Sequence, residues 1–197
     1  MKNILGELLS TLDDNALESI ARKTNASPTQ AKSALASAIP ILMSAMAKNS
    51  KTKDGATALQ KAVEKDHDGS LLDNLGDFLG NPEAANGVGI LRHVLGGKQQ
   101  NVASYISNDT GLSGESAGKI LEIAAPLVMG YLGKKRSTGE VSNVSSLLNT
   151  FMKTEKKQAP KAQGVIAQLL DSNNDGNVMD DISQMGMSFL GKMLRRK

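Results

Sequence analysis

The chain contains an internal repeat, and this repeat limits its fold more than any other feature of the sequence. When residues 24–48 are aligned with residues 110–134, an offset of 86 positions, eight of the 25 pairs are identical. The identical pairs are Thr24/Thr110, Ser27/Ser113, Ala31/Ala117, Leu35/Leu121, Ala38/Ala124, Pro40/Pro126, Met43/Met129 and Lys48/Lys134. Similarity at a fixed offset indicates a structural unit that is used twice.

The apolar residues of both aligned segments have the spacing of an amphipathic helix. In each segment they are separated by steps of 3, 1, 3, 1, 3, 1 and 3 residues, which places them on one helix face. In the first segment they are Ala31, Ala34, Leu35, Ala38, Ile39, Leu42, Met43 and Met46, and in the second Ala117, Ile120, Leu121, Ala124, Ala125, Val128, Met129 and Leu132. We predict helices over 28–48 and 114–133, with these residues in the core.

Both helices have recognisable start signals. Ser27 is suited to the N-cap, Pro28 to the first helical position and Gln30 to the third position of a capping box. Ser113 keeps the N-cap serine in the second segment. The agreement of these signals supports a common origin for the two helices.

The sequence favours an all-α fold. Aromatic residues make up 3% of the chain, and the alternation of apolar and polar residues that is typical of strands is nearly missing. Pro40 and Pro126 lie deep inside the two apolar stripes, so each helix is expected to kink there. The predicted fold is a tandem duplication of a four-to-five-helix repeat with Pro-kinked central helices.

A second match sets the domain boundaries. Residues 64–75 resemble residues 171–182 at an offset of 107, so the second copy has gained 21 residues relative to the first. The gain falls in a polar segment rich in Lys, Ser, Gly and Pro. We predict a first repeat over 1–80, a second repeat over 87–191 with an inserted linker at about 135–163, and a basic tail at 192–197.

The acidic segment of the second copy resembles the first half of an EF-hand calcium loop. Asp171, Asn173, Asp175 and Asn177 occupy positions one, three, five and seven and Gly176 the sixth, but Ile182 stands at position twelve, where a bidentate Glu is needed. The candidate calcium ligands are Asp171, Asn173, Asp175, Asn177, Asp180 and Asp181. The alternative is an Asp-Gly turn whose carboxylates cap the next helix. The first copy, with Glu64 and Leu75 at its ends, is a weaker metal candidate.

No residues form a recognisable catalytic group. Cysteine is absent, and no serine lies in a nucleophile-elbow pattern. His67 lies in the first acidic loop, where neighbouring carboxylates are expected to raise its pKa, and His93 is expected on a helix surface. The sequence therefore predicts a protein that is not an enzyme, and we favour a binding or scaffold module with protein partners or self-association.

Nucleic-acid binding is the alternative function. The sequence pI is about 9.0, and basic residues cluster at 134–136, in the insert and in the tail. The two repeats also resemble helix-turn-helix spacing. However, the net charge is only +3, and the outward face of the first stripe helix has few side chains that read base edges.

The hydropathy pattern predicts a cytoplasmic protein. Residues 38–47 form the richest apolar stretch, which is ten residues long and contains Pro40 and Ser44, whereas a membrane span needs about 20 apolar residues. Polar residues interrupt the apolar residues of 1–12, so this segment does not have the pattern of a signal peptide.

Several motifs, in a fixed order, resemble a known family. They are Asn3-Ile-Leu-Gly-Glu-Leu-Leu, Ala38-Ile-Pro-Ile-Leu-Met, His67-Asp-Gly-Ser-Leu-Leu-Asp-Asn-Leu, Gly89-Ile-Leu-Arg-His-Val-Leu-Gly-Gly-Lys98 and Ala125-Pro-Leu-Val-Met-Gly-Tyr-Leu-Gly-Lys134. The chain resembles a bacterial family of uncharacterised proteins related to the YidB-like group. The resemblance implies an all-helical bacterial cytoplasmic protein. It does not imply a particular reaction or particular catalytic residues.

Overall fold

Helices make up all the regular structure of residues 4–171, which is the part of the chain that this computed structural model describes. The helices are α1 (Ile4–Ser10), α2 (Asp14–Lys23), α3 (Pro28–Asn49), α4 (Lys53–Asp66), α5 (Ser70–Asp73), α6 (Leu75–Gly80), α7 (Gly87–Val94), α8 (Gln99–Thr110), α9 (Gly114–Ser137), α10 (Val144–Gln158) and α11 (Pro160–Asp171). Short 3-10 turns at Pro82–Ala85 and Gly96–Lys98 flank α7. The predicted all-α class is confirmed.

The long helices α3 and α9 start at the caps that the sequence predicts. Ser27 Oγ accepts a hydrogen bond from the Gln30 backbone N at 3.2 Å, and the Gln30 side chain accepts one from the Ser27 backbone N at 3.1 Å. This is a complete capping box. At the start of α9, Ser113 Oγ accepts a hydrogen bond from the Ser116 backbone N at 3.0 Å. Both predicted helix starts are confirmed.

The two predicted stripes form the centre of the core. All their residues are buried, with Leu35 0% and Leu121 1% exposed. Helices α3 and α9 pack against each other, and the buried apolar side chains of both halves belong to one hydrophobic cluster. Burial of this kind is the main stabilising contribution to a fold of this size.

Both internal prolines are buried, and α3 and α9 continue through them. The kinks expected there stay a prediction. Because proline has no N–H, Pro126 leaves the Glu122 carbonyl without its partner in the helix. Gly87, the first residue of α7, lies against that carbonyl, and a Cβ atom on Gly87 would be 1.9 Å from its oxygen. The start of α7 therefore fits α9 closely because residue 87 has no side chain.

Helix α10 occupies most of the segment predicted as an inserted linker at about 135–163. Leu148 and Phe151 are 0% and 1% exposed, and the helix packs against α3. Asn143 caps it by accepting hydrogen bonds from the backbone N–H groups of residues 145 and 146. The Lys residues of α10 lie on its outer side. In the sequence, the many polar residues of this segment make its apolar stripe of helical spacing hard to recognise.

The connections before α3 and α9 share their local geometry. Thr24 and Thr110 stand 86 positions apart, and each hydroxyl donates to the carbonyl four residues earlier, at 2.8 and 2.6 Å. The residues that follow, Asn25 and Gly111, both have left-handed backbone conformation, with φ of 51° and 69°. The chain thus turns in the same way before each long helix.

Contacts between the halves also occur at positions 86 apart. Lys135 Nζ at the end of α9 lies 2.5 Å from Glu7 Oε1 of α1. The position corresponding to Lys135 is Asn49, whose side chain donates to the carbonyls of His93 at 3.3 Å and Val94 at 3.0 Å. His93 in turn corresponds to Glu7. In each case, the end of one long helix holds the first helix of the other half.

Candidate functional site

A pocket of about 470 Å³ opens between α1, the second half of α9 and α10. Its apolar lining includes Ile4, Leu147 and Phe151, and its polar lining includes Glu7, Tyr131, Lys135, Glu140 and Glu155. An apolar wall with a few converging polar groups is the usual composition of a ligand site. We call it the α1–α9–α10 pocket.

Four of the polar side chains form one network. The Tyr131 hydroxyl donates to Glu7 Oε2 at 3.2 Å, and Lys135 Nζ lies 2.5 Å from Glu7 Oε1 and 2.7 Å from Glu140 Oε2. Lys135 Nζ also lies 5.6 Å from the centre of the Tyr131 ring, within the range of a cation–π contact. Every group of this network therefore has a partner of complementary charge or polarity.

The protonation of the network follows from burial and charge. Burial raises the pKa of Tyr131, and the negative charge of Glu7 raises it further, so the phenol stays neutral. Burial lowers the pKa of Lys135, but the hydrogen bonds and charges of Glu140 and Glu7 together outweigh it and raise that pKa. Lys135 is therefore a fixed cation that two carboxylates hold in place.

Glu155 differs from the other carboxylates of the pocket. It is 8% exposed, and among residues 4–171 no side chain or backbone N–H donates a hydrogen bond to its carboxylate. Burial raises the pKa of Glu155, and no nearby cation opposes this shift. Glu155 thus combines a raised pKa, a position in the pocket wall and the absence of an ion pair within residues 4–171, so this side chain is the strongest functional candidate of the pocket.

The basic cluster at 134–136 takes part in ion pairs inside the molecule. Lys134 pairs with Asp73, Lys135 with Glu7 and Glu140, and Arg136 with Glu64 at 2.5 Å. These carboxylates come from α1, α4, α5 and the loop after α9, so the cluster holds those elements against the end of α9. The sequence makes the same three residues candidates for phosphate contacts, and the structure gives each of them a carboxylate partner within the chain.

The first acidic loop is a tight turn that leads into α5. Asp68 Oδ1 accepts a hydrogen bond from the Ser70 backbone N at 3.0 Å at the start of α5. Hydrogen bonds from Ser70 lower the pKa of Asp68. The expected rise in the pKa of His67 is wrong: burial lowers it, and this effect outweighs the opposing charges of Asp66 and Asp68. His67 is partly buried because its loop packs on α9.

The predicted calcium ligands fall largely beyond the described residues. Asp171 is the last residue of α11, while Asn173, Asp175, Asn177, Asp180 and Asp181 lie outside the described part of the chain. Within residues 4–171, no group of His, Asp and Glu side chains is arranged to hold a metal ion. The calcium site stays a prediction from the sequence.

His93 is exposed on α7, as predicted, and its Nδ1 lies 2.9 Å from the Gly89 carbonyl oxygen. This hydrogen bond is local to the helix. His93 contributes to no pocket described above, so the structure gives it no role beyond the helix surface.

A second and larger pocket lies between the 3-10 turn at Pro82–Ala85, the start of α7 and the middle of α9. It measures about 660 Å³, and Val88, which is 49% exposed, stands at its edge. Its charged side chains, such as Lys23 and Lys119, are exposed, and Lys119 pairs with Glu115 at 2.7 Å. Because this pocket contains no buried charge without a partner, we place the candidate site at the α1–α9–α10 pocket.

Sequence reasoning missed this site for a specific reason. Glu155 and Phe151 lie on α10, in the segment that was predicted to be a linker. The spacing of Val144, Leu148 and Phe151 is the signal that would have placed a helix there.

The family comparison covers most of the described chain. A family model for a bacterial protein of unknown function (DUF937) matches residues 6–135, which include Glu7, Tyr131 and Lys135 but end before α10. No curated protein and no solved structure matches the chain. Among residues 4–171, no helix combines the length and the apolar character that a bilayer crossing requires.

Proposed function

For a chain that belongs to the DUF937 family of bacterial proteins of unknown function, we propose a non-enzymatic binding or scaffold role centred on the α1–α9–α10 pocket. The observation that carries this proposal is Glu155, a residue that is 8% exposed and lines the pocket, and whose carboxylate has no partner among the described residues. A carboxylate whose pKa is raised by burial in a pocket is a candidate ligand-binding group. The partner is proposed to be a protein.

The frame of this module is proposed to be a duplication. Three observations support it: the matched caps of α3 and α9, the matched turns at Asn25 and Gly111, and the reciprocal contacts of Lys135 and Asn49. On this proposal, the pocket forms where the two halves differ. Glu7 and Lys135 replace the corresponding His93 and Asn49 at that point, and α10 has been inserted beside them.

The proposal is tested by placing a bulky charge in the pocket. Leu147 is partly exposed on its wall, and arginine there fills the opening without entering the core. We expect the wild-type chain, used as bait in an extract of its native host, to retain a protein that the Leu147→Arg variant loses. Val88→Arg is the matched control, because it makes the same kind of change at an exposed apolar residue of the other pocket.

The comparison of the two variants decides the outcome. Loss of the same protein with Leu147→Arg but not with Val88→Arg supports binding at the α1–α9–α10 pocket. If Leu147→Arg, shown by circular dichroism to be folded, retains every protein that the wild type retains, the proposed function is wrong.

Nucleic-acid binding stays the alternative proposal, carried by the basic segments of the sequence. The cations at 134–136 support this alternative less than their sequence suggests, because they already form ion pairs within the chain. Titration of labelled duplex DNA at low and high salt tests it. A steep fall in affinity with salt is expected of a protein that neutralises several phosphates, and the binding-module proposal expects none.

A further inference from the structure

We propose that the α1–α9–α10 pocket binds a lysine or arginine side chain of the partner protein, and that Glu155 receives its cationic group. This inference deepens the proposed function and rests on it. It assigns a chemical class to the ligand and one residue to its recognition.

The charge of the pocket supports a cationic ligand. Three carboxylates, those of Glu7, Glu140 and Glu155, line it together with one cation, Lys135. Two of the carboxylates are already engaged, because Lys135 Nζ lies 2.5 Å from Glu7 and 2.7 Å from Glu140. The carboxylate that remains is Glu155, which accepts no hydrogen bond from residues 4–171. The pocket is thus acidic although the whole chain has a net charge of +3.

Lys135 is not available to neutralise Glu155. Its ammonium group is held by two carboxylates and lies over the Tyr131 ring at 5.6 Å. The charges that raise the pKa of Lys135 are those of Glu7 and Glu140, and Glu155 is not among them. Because no other cation of residues 4–171 pairs with Glu155, a second cation that enters the pocket satisfies it with the existing network intact.

The apolar lining suits the stem of a long cationic side chain. Ile4, Leu147 and Phe151 line the same pocket as Glu155, and Ile4 and Leu147 are only partly buried. Lysine and arginine bury their methylene groups on apolar surface while the charged end reaches a polar group. A small inorganic cation would leave this apolar wall uncovered.

The test uses small probes of matched shape with the full-length chain. N-acetyl-lysine amide and N-acetyl-arginine amide have the cationic end, and N-acetyl-norleucine amide has a similar apolar stem without a charge. We expect the two cationic probes to shift the backbone NMR signals of residues 147–155 in a saturable way. The norleucine probe is expected to bind at least about tenfold more weakly.

Glu155→Gln separates the role of the charge from that of shape. We expect this variant to bind the lysine probe about tenfold or more weakly than the wild type does, while its spectrum stays that of the folded protein. Glu18→Gln, at an exposed position on α2, removes the same charge from the chain and is expected to bind the probe as the wild type does. Binding by the wild type is also expected to weaken as the pH falls and Glu155 takes up a proton.

Two results would overturn the inference. One is equal binding of the norleucine and lysine probes, and the other is unchanged binding of the lysine probe by Glu155→Gln. Neither result depends on the host protein. If the host protein is lost with Leu147→Arg but retained by Glu155→Gln, the proposed function stands and cation recognition is wrong. If the lysine probe displaces the host protein from the wild-type chain, the bound group is a side chain of that protein.

Discussion

Glu155 shows how a single residue can oppose the fold that contains it. The side chain is 8% exposed and is held in a helix whose other buried residues, such as Leu148 and Phe151, are apolar. Burial favours the neutral carboxyl and raises its pKa. The charged form is therefore a cost to stability, which a bound cation would remove.

The pH dependence of stability is expected to reveal this cost. Because the pKa of Glu155 is higher in the folded than in the unfolded chain, the folded state binds the proton more tightly, and stability decreases as the pH rises through the folded pKa. Glu155→Gln is expected to raise the melting temperature at neutral pH. The difference from the wild type should vanish below about pH 4.5, the ordinary pKa of the group. A melting temperature at neutral pH that the substitution lowers would contradict the assigned cost.

Helix α9 illustrates how one element is shaped by its neighbours. Gly133 lies under the first acidic loop, and a Cβ atom on it would be 1.7 Å from the His67 carbonyl oxygen. Gly118, near the start of the same helix, has no atom within 4 Å of such a Cβ. One glycine is needed for packing, and the other only weakens the helix.

The two glycines give a matched pair of substitutions. Gly133→Ala is expected to destabilise the protein by about 1–3 kcal/mol, because the backbone of the loop has to move. Gly118→Ala is expected to stabilise it by about 0.5–1 kcal/mol, since alanine is a better helix former. Urea denaturation followed by circular dichroism measures both. Equal effects of the same sign at the two positions would show that the loop does not pack on Gly133 as described.

The calcium hypothesis concerns residues 171–181 and makes a separate prediction. If the six candidate ligands Asp171, Asn173, Asp175, Asn177, Asp180 and Asp181 bind calcium, calorimetric titration should give a heat of binding that Asp175→Ala removes. Glu18→Gln serves as the control, since it lowers the negative charge elsewhere. Absence of heat in both the wild type and Asp175→Ala would leave the turn-and-cap alternative.

At the scale of the whole molecule, the two halves share one core. Buried residues from α1 through α11 belong to a single hydrophobic cluster, with α3 packed against α9. Each long helix also packs against α8, so the elements of the two halves are in direct contact. The residues on the two sides of the boundary predicted at 80–87 therefore share one core.

This shared core predicts one cooperative unfolding transition. Leu35→Asp and Leu121→Asp each place a charge at a position that is at most 1% exposed, and each is expected to cost about 4 kcal/mol or more. Either change should therefore lower the stability of the whole chain. Thermal melting detected by circular dichroism measures the effect. An unchanged melting temperature, or a second transition that keeps its wild-type midpoint, would show that the halves unfold separately.

The sequence determined the elements whose signals are local or repeated. The periodic stripes gave α3 and α9 with their buried faces, and the caps at Ser27 and Ser113 gave their first residues. These predictions succeed because helix period and capping depend on residues within a few positions of each other. The all-α class follows from the same local signals.

The tertiary structure decided what depends on residues that are distant in the chain. It showed that the polar segment after residue 140 contains a packed helix, that the cations at 134–136 face internal carboxylates, and that His67 is too buried for its acidic neighbours to raise its pKa. It also brought Glu7, Lys135 and Glu155 to one pocket. Burial and charge at these positions are set by packing between elements, which neighbouring residues in the sequence do not specify.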